Sequence, residues 1–231
     1  MKTKREVVPK FWKIETKTRA LTVSPSAGPH PAFSSIPLQI ILRDILHVAE
    51  TASEVRKILN AGKVQVDGVI RKDTGFPVGL MDVLHIPDMQ KYYRMMLTKK
   101  GLTLKEMTKD YDKKFLKIRG KKIIRGGKIQ LSFHDGTTLI TNKTDYKPND
   151  TVVVKLPSKE IVSHVKLEPG VTILVTGGKN IGKIAKLKEI EAISGSRANE
   201  LIVETSEGVY ETQIKFVFPI GKEKSLIDFG E

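Results

Sequence analysis

The sequence predicts an α+β chain of several small domains: two helices packed on a small hairpin sheet, a central small β domain, and a compact C-terminal barrel. Three observations carry this. The chain has 231 residues, more than one core usually needs, so two or three domains are expected. Helical spacing of apolar residues in the early part of the chain gives way to hairpin chemistry near residue 67. From residue 121 onward, β-branched residues alternate with turns built on Gly, Pro, Asn and Asp.

Residues 1–35 read as an extended, basic N-terminal arm. Pro9, Pro25, Pro29 and Pro31 each remove a backbone donor and disfavour helix, and residues 24–31 are loop chemistry throughout. Phe11 and Trp12 can anchor the arm either on a partner or on the first domain. In residues 36–88, Pro37 suits a first helical turn, and Leu38, Ile41, Leu42, Ile45 and Leu46 fall on one face. Thr51, Ala52, Ser53 and Glu54 form a capping-box signature, with Thr51 as N-cap and Glu54 reaching back. Val55, Ile58 and Leu59 continue the apolar face, and Gly62 suits a left-handed stop. Asp67 and Gly68 sit between alternating apolar positions as a hairpin turn, and residues 81–86 read as a closing strand ended by Pro87. Residues 89–168 follow as a basic connector and central β domain. The stretch 89–120 is expected to be helical before it turns into strand, and 121–168 to be β. Short strands punctuated by Gly177, Gly178, Gly182, Gly195 and Gly208 fill residues 169–220, and 221–231 form a tail.

Composition narrows the function. Forty Lys and Arg against 26 Asp and Glu leave +14 and a pI near 9.7. That excess is self-repulsive, and a polyanion such as nucleic acid would relieve it. Hydrophobic residues are 39% of the chain, and no apolar run approaches the roughly 20 residues that span a bilayer. The basic N-terminus is followed by no apolar signal region. With no cysteine there are no disulfides and no thiolate zinc sites, which fits a reducing cytoplasm. The charge is also segregated. Residues 1–35 carry 7 basic and 2 acidic groups, and residues 89–130 carry 14 and 3. Residues 36–88 carry 6 and 7, 131–168 carry 5 and 5, and 169–231 carry 8 and 9, so those stretches are near neutral.

Three segments carry candidate chemistry. The order apolar helix, capped helix, Gly, hairpin in residues 36–88 resembles the S-four-type RNA-binding domain, most closely over residues 51–68. On it, Arg43, Arg56, Lys57, Lys63, Arg71 and Lys72 are candidate phosphate contacts, since shape and backbone contacts dominate recognition of folded RNA. Ala52 and Ser53 stand where many such domains place an early arginine. Residues 171–187 admit two readings. Gly177, Gly182 and Lys183 fit the start of a phosphate-binding P-loop, but Ile184 stands where Ser or Thr would hold magnesium. The other reading is a KOW motif, a strand–Gly loop–strand unit of SH3-like barrels that would display Lys179, Asn180 and Lys183. Residues 113–125 interleave cations with apolar residues. A strand there buries Phe115 and Ile118 while Lys114, Lys117, Arg119, Lys121, Lys122 and Arg125 line RNA. Lys2, Lys4, Arg5, Lys10 and Lys13 complete the candidate set in the arm. Together these predict a surface running from the arm through the first domain to residues 113–125.

Little points to catalysis. His30, His47, His85, His134 and His164 are scattered and form no metal spacing. His134 and Asp135 read as a turn before Gly136 rather than an acid–base pair, and no Gly-x-Ser-x-Gly elbow is present. The rivals to a binding protein are an RNA-modifying enzyme or assembly factor with an S-four reader, and a P-loop nucleotide hydrolase at residues 177–183.

The order of these parts resembles the archaeal and eukaryotic S-four-e family of small-subunit ribosomal proteins. The resemblance rests on residues 25–31, 76–82, 131–136 and 175–182 and covers nearly the whole chain. The arm lacks the longer Lys- and Gly-rich start of that family. The resemblance implies a non-catalytic protein that binds small-subunit rRNA beside neighbouring ribosomal proteins, with no cofactor, metal, membrane or small-molecule substrate. It implies an arm that orders on RNA.

Overall fold

A computed structural model describes residues 2–15, 17–191, 199–205 and 208–222. The chain groups into two compact units. The first holds the residues up to Met96, with Leu102–Lys114 and Leu156–Ser158; the second holds Leu97–Gly101, Phe115–Lys155 and the residues from Lys159 onward.

The first unit opens with an antiparallel pair, β1 (Lys2–Lys4) on β2 (Leu21–Val23). Between them lie 3-10 turns at Arg5–Val7 and Lys10–Trp12. The arm is therefore folded, not extended, and Trp12 is a main cause. Its ring is buried, and its indole N–H donates to the Ser35 carbonyl at 2.9 Å. A buried side chain of this size contributes about 3 kcal/mol. The anchor is the first domain itself. Further along, the Ser26 N–H donates to the Gly75 carbonyl at 2.7 Å, and the ring of His30 lies against Gly79. A Cβ on Gly79 would stand 2.3 Å from that ring, so only glycine allows the approach.

Next come β3 (Ser35–Pro37) and α1 (Leu38–Ile40), which widens into a π-helical turn at Ile41–Ile45. The expected first helix is thus a short, rewound one. The Leu46 N–H reaches back five residues to the Ile41 carbonyl, and Leu38, Ile40, Ile41 and Leu42 are all buried. The second helix, α2 (Ala52–Asn60), has the expected capping box: the Glu54 N–H donates to Thr51 Oγ1 at 3.2 Å, and the Glu54 carboxylate accepts from the Thr51 N–H. Val55 and Leu59 are its buried face. Gly62 takes the left-handed conformation.

The hairpin β4 (Gln65–Val66) and β5 (Val69–Ile70) turns through Asp67 and Gly68, both at positive φ. Then follow β6 (Pro77–Gly79), which pairs with β3, and β7 (Val83–Ile86). The helical connector expected after residue 89 is instead two strands, β8 (Lys91–Thr98) and β9 (Gly101–Met107), in a sheet of order β5-β4-β7-β8-β9. The open edge of β7 decides this. Its backbone groups need partners, and the β-favouring Tyr92 and Tyr93 supply a strand for it.

The second unit contains two five-stranded sheets. One is formed by β10 (Lys113–Ile123), β11 (Ile129–Phe133), β12 (Thr138–Thr141), β13 (Thr151–Lys155) and β14 (Glu160–Val165), ordered β12-β11-β10-β13-β14. Leu116, Ile118, Ile129, Leu131, Phe133, Val152 and Val154 form its core. The other has β15 (Thr172–Val175), β16 (Ile184–Glu191), β17 (Glu200–Thr205), β18 (Gly208–Gln213) and β19 (Val217–Gly221), ordered β18-β17-β16-β15-β19 over a core that includes Ile173, Leu187, Leu201 and Val203. Of the expected tail, residues 223–231 lie outside the described residues, as does Gly195.

Candidate nucleic-acid interface

The candidate cations separate by burial. On β10, Lys114 and Lys117 point inward, which corrects the expectation that they line RNA. Lys114 is 2% exposed, and its ammonium donates to Asp67 Oδ2 at 2.6 Å and Asp82 Oδ1 at 2.7 Å. Asp82 also accepts from the Gly79 N–H at 2.9 Å and lies 3.1 Å from His30 Nε2. Asp67 Oδ1 accepts from the Val83 N–H at 3.0 Å. One buried lysine thus ties the hairpin turn, the β6–β7 turn and, through Asp82, the arm. Burial pushes the Asp67 carboxyl up, and the neighbouring Asp82 charge pushes it the same way. Burial acts on Asp82 too, but Lys114 and His30 outweigh it and hold that carboxyl below the usual range.

Lys117 is buried in the second unit. Its three ammonium donors meet the carbonyls of Val217 at 2.6 Å, Lys215 at 3.2 Å and Ile214 at 3.3 Å. Burial, with some repulsion from Arg119, pushes its pKa down to about 8. Arg43 is likewise buried, its guanidinium on the Asp44 carboxylate at 2.7 Å. These three cations hold the fold and are withdrawn from solvent.

The remaining candidates reach solvent. Beyond Ile118 the β10 strand leaves its core, and Arg119, Lys121 and Lys122 are exposed. Arg125 and Lys128 flank the positive-φ pair Gly126 and Gly127 at the β10–β11 turn, so this hairpin tip is a basic finger. Lys121 donates to the Thr144 carbonyl at 2.5 Å. On α2, Arg56 and Lys57 are exposed opposite the buried face, and Lys72 is exposed after β5. Lys63 is exposed and paired with Asp88 at 2.6 Å, a surface pair worth at most about 1 kcal/mol and exchangeable for phosphate. Arg71 is half-buried, with its guanidinium 4.5 Å above the Phe76 ring. In the arm, Lys2, Lys4, Lys10 and Lys13 are exposed, whereas Arg5 is half-buried and bonded to the Ile14 carbonyl.

The loop from Val175 to Ile184 is a hairpin turn between two strands. The Gly182 N–H donates to the Val175 carbonyl at 2.8 Å, and the Val175 N–H to the Lys183 carbonyl at 3.0 Å. A P-loop needs a helix N-terminus to cradle phosphates, and here a strand follows Lys183, so the hydrolase reading fails on geometry. Lys179 is exposed; Asn180 and Lys183 are half-buried, with Lys183 Nζ 5.9 Å from the Tyr210 ring centre. His134 and Asp135 are also structural. His134 Nδ1 accepts from the Lys117 N–H, and the Asp135 carboxylate accepts from Thr137. Among the described residues no His, Asp and Glu group is arranged to hold a metal, and no helix is long and apolar enough to cross a membrane.

Sequence reasoning missed some exposed cations: Lys17 and Arg19 in the arm, Lys99 and Lys100 at the β8–β9 turn, Lys109, and Lys128. A signal existed for the second pair. Thr98, Lys99, Lys100 and Gly101 are a polar turn closed by glycine, but the helical expectation for that region hid it.

Three family models match successive stretches of the chain. Residues 1–32 match the RS4NT (NUC023) domain, 36–84 the S4 domain, and 89–161 the ribosomal family S4e. The small ribosomal subunit protein eS4 of Archaeoglobus fulgidus is 41% identical over 230 residues, covering 98% of this chain and 97% of its own length. That of Methanosphaera stadtmanae is 42% identical over 226 residues, covering 97% and 93%. Among solved structures, the 30S ribosomal protein S4e of Thermoplasma acidophilum superposes with a TM-score of 0.71 at 34% identity, over 84% of this chain and 99% of that one.

Proposed function

The chain belongs to the ribosomal family S4e, and from that premise we propose that it is a structural constituent of the small ribosomal subunit that binds and stabilises folded rRNA. One observation carries this: relatives of about 40% identity spanning nearly its whole length are small-subunit ribosomal proteins. The protein is not an enzyme; its work is holding RNA, and its place of work is the ribosome.

Finer assignments extend the same reading. The contacts are the exposed cations: Lys2, Lys4, Lys10 and Lys13 of the arm, Arg56, Lys57, Lys63 and Lys72 of the S4 domain, and Arg119, Lys121, Lys122 and Arg125 of the basic finger. Residues 169–220 are an SH3-like barrel of KOW type. The strand order with β19 beside β15 and the glycine turn after β15 support this, and Lys179 offers its exposed ammonium. The division into arm, S4 domain, β domain, barrel and tail follows the charge map. Neighbouring ribosomal proteins are partners of the near-neutral surfaces. Each tethered module raises the effective concentration of the others at their RNA sites.

Co-sedimentation of the full chain with small ribosomal subunits tests the reading. Recovery in the subunit peak at low salt is expected; a chain that stays at the top of the gradient would overturn it.

A further inference from the structure

Gln65 pairs with His85 across β4 and β7, and His85 with Tyr92 across β7 and β8. Strand side chains alternate, so these three form one row on the face opposite the buried Val66, Leu84 and Tyr93. The His85 ring lies flat on Tyr92, with centroids 4.0 Å apart and planes within 2°. Tyr111 covers the other side of Tyr92, with centroids 4.2 Å apart at 24°. The row is closed at one end by Gln65, whose Oε1 lies 3.4 Å from His85 Nδ1. At the other end Tyr111 is 44% exposed.

Tyr111 is also held in place. Arg94, two residues beyond Tyr92 and on the same strand face, is buried, and its guanidinium donates to the carbonyl of Asp110 at 3.0 Å and to that of Lys113. Lys113 Nζ pairs with Asp110 at 2.7 Å, and the Leu156 N–H donates to the Asp112 carbonyl at 2.6 Å. A buried arginine is a costly anchor for a loop. It makes sense if the ring must stand ready, because an ordered site does not pay conformational entropy at binding.

We infer that Tyr111 is a stacking platform for one unpaired RNA base, which adds to the His85–Tyr92–Tyr111 row as a fourth ring. Charge names the occupant. Tyr92 and Tyr111 lie in residues 89–130, where 11 cations remain against 3 carboxylates once the buried Arg94, Lys114 and Lys117 are set aside from the 14, and Lys109 is exposed two residues before the ring. The flanking carboxylates do not oppose this strongly, because Asp110 is engaged by Lys113 and both Asp110 and Asp112 face the Arg94 cation. Proteins read single-stranded RNA by stacking splayed bases on such rings, with little demand on base identity. The inference rests on the rRNA-binding reading above.

The test uses the full chain with two probes, a short single-stranded RNA of mixed sequence and the same strand annealed to its complement. Tyr111→Ala is expected to weaken the single strand roughly 5- to 150-fold and leave the duplex unchanged. Tyr111→Phe and Tyr111→Trp are expected to retain wild-type affinity, and thiouridine in the single strand to photocrosslink to Tyr111. Unchanged single-strand binding by Tyr111→Ala, or equal losses on both probes, overturns the platform while leaving RNA binding intact. A wild-type chain that binds neither probe overturns both readings.

Discussion

Two lysines three residues apart on β10 show how one side chain type does opposite work. Lys114 neutralises two buried carboxylates, so Lys114→Met leaves Asp67 and Asp82 facing each other without a full counter-charge. A loss of about 3–5 kcal/mol is expected in denaturant unfolding, as for other broken buried pairs. Lys117 meets only carbonyls. Its folded pKa of about 8 lies below its ordinary 10.5. Between those values the unfolded chain keeps the proton that the folded chain releases, so stability rises with pH across that window. Below about pH 8 both states hold the proton and the penalty is constant. The rise is on the order of 3 kcal/mol. Urea unfolding of wild type and Lys117→Met from pH 7 to 10.5 checks it: wild type should gain relative to the variant, and parallel curves would show that Lys117 is not the titrating group. Neither lysine's role was legible in the sequence. Lys114 reads like Lys121, and only carboxylates 47 and 32 residues away distinguish them.

At the scale of elements, local chemistry was legible and pairing was not. The capping box of α2 and the Asp67–Gly68 turn are set by neighbouring side chains, and both formed where the pattern placed them. Residues 91–107 became strands because β7 offered an edge, a fact that no window of sequence contains. The glycine loop before β16 makes the same point. Its spacing looked like phosphate chemistry, yet Gly182 is required by packing. A Cβ there would lie 2.3 Å from the Thr98 carbonyl carbon and 2.6 Å from the Lys99 nitrogen, with φ already at +78°. Gly182→Ala should cost roughly 2–5 kcal/mol through clash and left-handed strain together. Gly178 has φ +81° but open space around it, so Gly178→Ala should cost only about 1–2 kcal/mol. Thermal denaturation of the two variants separates the causes, and equal losses would remove the packing argument.

At the scale of the whole molecule, affinity for RNA should follow the exposed charge rather than the total. The net charge of +14 counts buried and solvated cations alike. Lys114, Lys117 and Arg43 have exchanged water for carboxylates or carbonyls and have no ammonium or guanidinium to offer a phosphate without breaking the fold. The finger formed by Arg119, Lys121, Lys122 and Arg125 has. Each phosphate it neutralises releases counterions and adds roughly 0.7–0.9 to the slope of log affinity against log salt. A variant with all four changed to Ala should therefore bind an rRNA fragment with a shallower slope, by about 0.7–0.9 for each phosphate no longer neutralised, while its melting temperature stays near that of wild type. Lys114→Met should do the reverse, melting earlier with its salt slope unchanged wherever it remains folded. Filter binding of the full chain across a salt series, beside a melting curve for each variant, measures both quantities. A finger variant whose slope equals that of wild type would move the electrostatic attraction away from the β10–β11 turn and onto the arm and α2.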